Sequence, residues 1–297
     1  MKKWILILSI IASYNTYAAV HCPEGTTLDV DCWQCGDDCT AYLSDDNINN
    51  GKTLNIKGSG TMTNWVCDEG IWPSWYAKSD EITSAVIEGK SENSTGITSI
   101  GAWTFMNMTN LKSVDIPDSV TTIEGSAFKG TASLETIEIP SSVTDIGTET
   151  FYTSGIKSIV IPDSVTTIGV NAFRHAENLT SIVISDSLLD ADGNILEYAQ
   201  RDGVYTGISP DAFKYGALNT IYCPTDKKCG NSFTGLSGTP RIISYSIDEN
   251  GQIKAGGKTY ASLDDLASGN HIVKRIYTID EANEVAGKVN SVKIRYR

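Results

Sequence analysis

Three segments of this chain align without gaps over 18 residues: LKSVDIPDSVTTIEGSAF from Leu111, LETIEIPSSVTDIGTETF from Leu134 and IKSIVIPDSVTTIGVNAF from Ile156. Their starts lie 23 and 22 residues apart. A fourth copy begins at Leu179 and is interrupted. Val165 to Leu188 keeps the step of 23, whereas Ile168 to Ile208 and Phe173 to Phe213 both span 40, so 17 extra residues fall at about 189–205. Leu218 opens a partial fifth copy. Upstream, Ile97, Ile100 and Phe105 match Val120, Ile123 and Phe128, and Ile82, Ala85 and Ile87 match Leu111, Val114 and Ile116 across an insertion around Lys90 to Thr95. Self-similarity at such a period means that each unit buries its apolar face only by stacking on its neighbours.

The columns that stay apolar describe the coil. Leu111, Val114 and Ile116 give L-x-x-L-x-L, repeated by Leu134, Ile137, Ile139, by Ile156, Ile159, Ile161 and by Leu179, Ile182, Ile184. This pattern predicts one short strand per coil, paired in parallel with its equivalents. Pro117, Pro140 and Pro162 cannot donate to a ladder and end each strand. Val120, Ile123, Phe128 and their equivalents return inward from the opposite side. Ser119, Ser142, Ser164 and Ser187 share a column in which hydroxyls are expected to bond turn backbone, and Gly147 and Gly169 mark a second bend.

The consensus L-x-x-I-x-I-P-x-S-V-T-x-I-G-x-x-A-F resembles the BspA-type leucine-rich repeat of bacterial surface and secreted proteins, over roughly 82–229. The resemblance implies a β-rich leucine-rich-repeat solenoid, and by analogy adhesion or host interaction. The expected organisation is a signal peptide at 1–18, a Cys-rich segment and β cap at 19–81, the solenoid at 82–240 and a small α+β module at 241–297.

Lys2 and Lys3, the apolar run from Trp4 to Ala12 and the close Thr16-Tyr17-Ala18 read as a Sec-type signal peptide, too short to anchor in a bilayer. Export to the cell surface or medium is expected, with the periplasm as the alternative compartment. His21 before Cys22 argues against lipidation. In an oxidising compartment the seven cysteines are expected to form disulfides. Cys223 with Cys229 is the clearest pair. Spacing does not fix the front cluster, where Cys35–Cys39 and Cys22–Cys32 are the expected pairs and Cys67 is left over. A zinc site from Cys32, Cys35, Cys39 and Cys67 is not expected. Nor is a redox motif at Cys32 and Cys35, because Gly36, Asp37 and Asp38 follow where such a motif opens a helix.

A formal net charge of -13 excludes bulk nucleic-acid binding, and three histidines leave little material for catalysis. Asp190-Ala191-Asp192-Gly193-Asn194 fails as a calcium loop, with Ile195 where the loop needs Gly and Arg201 where it needs Glu. No catalytic residue, cofactor or metal is assigned. Trp65, Trp72, Trp75 and Tyr76 fit either a sugar-stacking platform or a solenoid cap, the cap being favoured. Beyond the repeats, YSIDENGQIKA reads as a hairpin turning at Asp248 to Gly251, Thr278 to Ala286 as a short helix, and Val292 to Tyr296 as a closing strand.

The remaining resource is the strand face. Its innermost outward column runs Asp115, Glu138, Val160, Val183, Tyr222, changing from acidic to apolar toward the C-terminus. An exposed apolar stripe beside an insertion is the expected contact for another protein or a surface ligand. Self-assembly in the cell envelope and thiol chemistry at Cys32 and Cys35 are the alternatives.

Overall fold

The computed structural model describes residues 32–66, 69–92, 94–201, 204–225, 227, 229, 236 and 238–270. The signal peptide, the Cys22–Cys32 pair, Cys67, the helix expected at Thr278 to Ala286 and the strand at Val292 to Tyr296 lie outside these residues, wholly or in one partner.

An antiparallel meander of β1 (Cys32–Gly36), β2 (Asp38–Asp46) and β3 (Gly51–Thr61) comes first. Eleven strands follow through the repeats: β4 (Ile82–Ile87), β5 (Ile97–Ile100), β6 (Ser113–Asp115), β7 (Thr122–Ile123), β8 (Asp145–Ile146), β9 (Ser158–Val160), β10 (Thr167–Ile168), β11 (Ser181–Val183), β12 (Ala199–Arg201), β13 (Val204–Ile208) and β14 (Thr220–Pro224). The described chain closes with β15 (Arg241–Ile247), β16 (Ile253–Ala255), β17 (Lys258–Tyr260) and a helix, α1 (Leu263–Ser268).

Stacking of the apolar columns is as the repeat predicts. Ile123, Ile146 and Ile168 are inaccessible, as are Leu111, Leu134 and Ile156. Phe105, Phe128, Phe151, Phe173 and Phe213 form a continuous stack with centroid spacings of 5.0, 5.4, 5.1 and 5.0 Å. The spacing matches the ~4.8 Å separation of neighbouring strands, so one ring per coil fills the interior without a gap.

The expectation of one strand per coil needs correction: two ladders run along the stack. The first contains the L-x-x-L-x-L strands, β4 with β6 and then β9 with β11, β14 and β15, all parallel. The second joins β5, β7, β8, β10 and β13 in parallel order. Its strands are only two residues long in three coils, which is too short for alternation to be visible in sequence. The first ladder is also interrupted, because the second copy, at Glu135–Ile139, is not a strand although Ile137 and Ile139 are buried. Asp115 and Glu138 occupy one column in successive coils there, and like charges opposite one another disfavour close pairing.

A third wall follows each Phe. Its coils are joined by bonds such as Phe128 N to Thr150 O (2.9 Å), Phe151 N to Ala172 O (2.7 Å) and Phe173 N to Ala212 O (2.7 Å). Trp103, Ser126, Glu149 and Asn171 hold φ between 57° and 67° in this wall. Left-handed backbone at non-glycine residues is unfavourable, and here the inter-coil bonds impose it. Ser119, Ser142 and Ser187 donate to Ile97 O, Val120 O and Val165 O of the preceding coil at 2.7, 2.5 and 2.6 Å, whereas buried Ser164 Oγ has no partner among the described residues.

Each end of the stack is covered differently. β3 is long enough to start both ladders, pairing β4 through Lys52–Ile56 and β5 through Gly60–Thr61. It turns between them at Gly58 and Gly60, φ 126° and 80°. A Cβ on Gly58 would lie 1.9 Å from Asp38 O, so only glycine fits. Trp75 is inaccessible beneath this cap, donates its indole N–H to Thr104 O at 3.2 Å and meets Trp65 edge-on at 5.7 Å. At the far end, the insertion does not break the second ladder: β13 pairs β10, and β12 folds back antiparallel on β13.

Candidate functional site: the strand face

In the first ladder, alternate residues point away from the core. Register places Val86 beside Asp115 and Val160 beside Val183 and Tyr222, with Ile243 continuing the row. Ser84, Ser113, Ser158, Ser181, Thr220 and Arg241 form the second outward row.

The expected exposed apolar stripe is not exposed, which corrects the reading of Val160, Val183 and Tyr222. Val183 is 1% accessible, Tyr222 is 8% and Val160 is half-buried. They belong to a second hydrophobic cluster, separate from the solenoid interior, with Tyr245, Ile253, Ala255, Tyr260, Leu266 and Ala267. The cover comes from the same chain. β15 adds to β14, the hairpin β15–β16 turns at Asp248 to Gly251, β17 follows, and α1 packs back on β9 and β11. Ser262 caps α1 by accepting the Asp265 N–H at 3.0 Å, and Gly269 ends it at φ 78°. Ser181 Oγ donates to Ala267 O beneath the helix. Burial, followed by the charges of Asp163 and Asp186, pushes the Tyr245 phenol up to about 12, and the phenol donates to Ile184 O at 3.4 Å.

The acidic half of the column is open. Asp115 and Glu138 are exposed, and Val86 is 41% accessible. Lys112, Ser113, Glu135 and Thr136 beside them are exposed too. Lys157 pairs with Glu135 at 2.6 Å, with both side chains more than half exposed, a geometry that contributes little to stability.

The other candidates resolve into structure. Cys35 is joined to Cys39 (Cα–Cα 5.0 Å) and Cys223 to Cys229 (6.1 Å). Cys35 is thus bonded to Cys39 and not to Cys32, and all three are buried, which removes the basis for thiol chemistry at Cys32 and Cys35. Asp190 Oδ1 accepts the backbone N–H groups of Asp192 and Asn194 at 2.9 and 2.8 Å, so it organises a turn. Among the described residues no group of His, Cys, Asp and Glu is arranged to hold a metal, and no helix is long and apolar enough to cross a membrane. Trp72 stacks on Tyr76 at 4.4 Å and remains partly exposed, while Trp75 serves the cap. KTYASLDDLASG reads in sequence as a strand-helix unit, as found, but nothing in the sequence connected Leu263, Leu266 and Ala267 with the strand face they cover.

Parallel ladders, a ring stack and coils of 22 or 23 residues define a leucine-rich-repeat solenoid. Residues 75–201 match the family model described as BspA type leucine rich repeat region, in six copies. Three solved structures are similar to the chain. A leucine-rich repeat protein from Eubacterium ventriosum is 23% identical, covers 72% of this chain and 72% of its own, and gives a TM-score of 0.45. One from Bacteroides ovatus is 22% identical over 63% of this chain and 47% of its own, TM-score 0.42. The leucine-rich repeat protein of T. pallidum is 20% identical over 61% and 78%, TM-score 0.40. Curated protein sequences give no match.

Proposed function

We propose that this chain is an exported, non-enzymatic repeat protein that binds another protein through the uncovered part of its strand face. One observation carries the reading: the row of outward residues is sealed by the C-terminal strands and helix at Val183 and Tyr222, yet stays open at Val86, Asp115 and Glu138. Rigid parallel strands offer such a row at fixed spacing, which suits recognition of an extended protein surface. The repeat family of residues 75–201 supports a role in protein interaction. The two disulfides suit an oxidising compartment outside the cytosol, secreted, surface-held or periplasmic.

The test is surface plasmon resonance of the chain against a panel of host extracellular proteins, comparing wild type with Val86→Asp and Glu138→Lys. A partner that loses at least tenfold in affinity with either variant supports the assignment. Partners bound equally by both variants would remove the strand face from the function. Self-assembly into large species on size exclusion, with no partner bound, would replace the reading.

A further inference from the structure

The residue after Phe128, Phe151, Phe173 and Phe213 points outward on the third wall, giving the row Lys129, Tyr152, Arg174, Lys214; the next position gives Gly130, Thr153, His175, Tyr215. All four of the latter are left-handed, φ 74°, 53°, 56° and 60°. Holding Thr, His and Tyr in this conformation is unfavourable, and it gathers their side chains on one ridge. His175 stacks on Tyr215 at 5.0 Å and 24°, and Tyr152 meets His175 edge-on at 5.6 Å. The Arg174 guanidinium lies 5.0 Å from the Tyr215 centroid, Lys214 lies 5.5 Å from the same ring, and Lys129 lies 4.8 Å from that of Tyr152.

The three cations differ in what neutralises them. Lys129 holds Glu149 at 2.6 Å and Lys214 holds Asp211 at 3.2 Å. Among the described residues Arg174 has no carboxylate. Its Nη1 donates to Asn171 Oδ1 at 3.3 Å, and its Nε is buried without a partner. In a chain with 36 acidic and 23 basic side chains, acids for pairing are plentiful. An unpaired guanidinium laid across a tyrosine is a ready acceptor site for a planar anion, because its fork of N–H donors matches a carboxylate.

We propose that this ridge binds an acidic saccharide, with a uronate-type carboxylate at Arg174 and pyranose rings against Tyr152, His175 and Tyr215. An acidic peptide fits less well. Peptides recognised in extended form pair with free backbone or seat side chains in an apolar groove, and acidic motifs are held by clusters of arginines. Here the backbone is already used between coils, Thr153 N bonding Arg174 O and His175 N bonding Lys214 O, both at 3.0 Å, and Arg174 is the one arginine on the ridge, its lysine neighbours being paired with Glu149 and Asp211. A sugar chain needs only ring edges, hydroxyl partners and one cation. This site is separate from the strand face, so either can fail alone.

The experiment is calorimetric titration of the full chain with trigalacturonate at low salt, with a neutral galactose trisaccharide and an oligoglutamate of equal charge as comparators. The expected result is saturable binding of trigalacturonate that weakens as salt is added. Arg174→Gln and Tyr215→Ala should each lower its affinity at least tenfold with melting temperatures close to wild type, and Lys254→Ala, outside the ridge, should leave it unchanged. Absence of trigalacturonate binding, or binding insensitive to both ridge variants, would overturn the site. Equal affinity for oligoglutamate or for the neutral sugar would overturn the assignment to an acidic saccharide.

Discussion

Replacing Phe151 with alanine tests the stacking that everything else rests on. Its ring is inaccessible and sits between Phe128 at 5.4 Å and Phe173 at 5.1 Å. Truncating a buried Phe costs ~3–5 kcal/mol, the larger values arising where surroundings cannot collapse into the space. Collapse is opposed here because the coils on both sides are pinned by Phe128 N–Thr150 O and Phe151 N–Ala172 O bonds. The upper end, about 4–5 kcal/mol, is expected. That is a large part of the ~5–15 kcal/mol by which a domain is folded. Since each coil contacts only its neighbours, a lesion in the middle should also uncouple the halves. Guanidinium unfolding followed by circular dichroism should therefore show a lower midpoint and a smaller slope or a split transition. Phe151→Leu should cost less than half as much. A loss under about 1.5 kcal/mol for Phe151→Ala, the range of well-tolerated core swaps, with an unchanged slope, would refute the ring stack as the central element.

Val183→Asp places a charge under α1 and should cost about 3–5 kcal/mol locally, as unpaired buried charges do; hydrogen exchange should show the α1 amides losing protection while the Phe stack keeps it, and unchanged protection would contradict the cover. The Tyr245 phenol, held neutral by burial to about 12, favours folding fully below its ordinary value near ~10, and that contribution is lost as pH rises toward 12. Burial also raises Tyr198 and Tyr222, so ultraviolet titration should find several tyrosines ionising late, with the latest step absent in Tyr245→Phe. Opening the Cys223–Cys229 loop, six residues apart, by replacing both cysteines with alanine should lower stability by about 2 kcal/mol in urea titration.

What the sequence made legible was whatever recurs as side-chain type. Leu111, Val114, Ile116 and Phe128 recur because they meet their own equivalents one coil away, so their columns name the interior directly. The second ladder escaped because Thr122–Ile123 and Asp145–Ile146 are too short to alternate. The third wall escaped because its left-handed turns are carried by Trp103, Glu149 and Tyr215 without the glycines that normally mark them. The strand face was misread for a different reason. Val160, Val183 and Tyr222 point away from the solenoid core, as read, but outward from one core is not the same as toward water. Acidic residues give way to apolar ones in that column where the chain later returns, and only the tertiary path of residues 241–270 shows what they meet.

The two ends explain why the middle stays open. A parallel ladder exposes backbone groups at its last strand, and such edges attract unwanted partners. β3 blunts one end by pairing both ladders through a glycine turn; β15 blunts the other by pairing β14, and the hairpin and helix behind it then fall across β9 and β11. The uncovered strand face consequently spans β4, β6 and the coil at 134–139. At ~4.8 Å per strand this is about 10 Å from first to last, wide enough for one extended segment or a single helix. A partner of that size meets Val86 at one side and Asp115 and Glu138 at the other. If the chain binds a protein here as proposed, an apolar anchor followed by basic groups is the complement of this window.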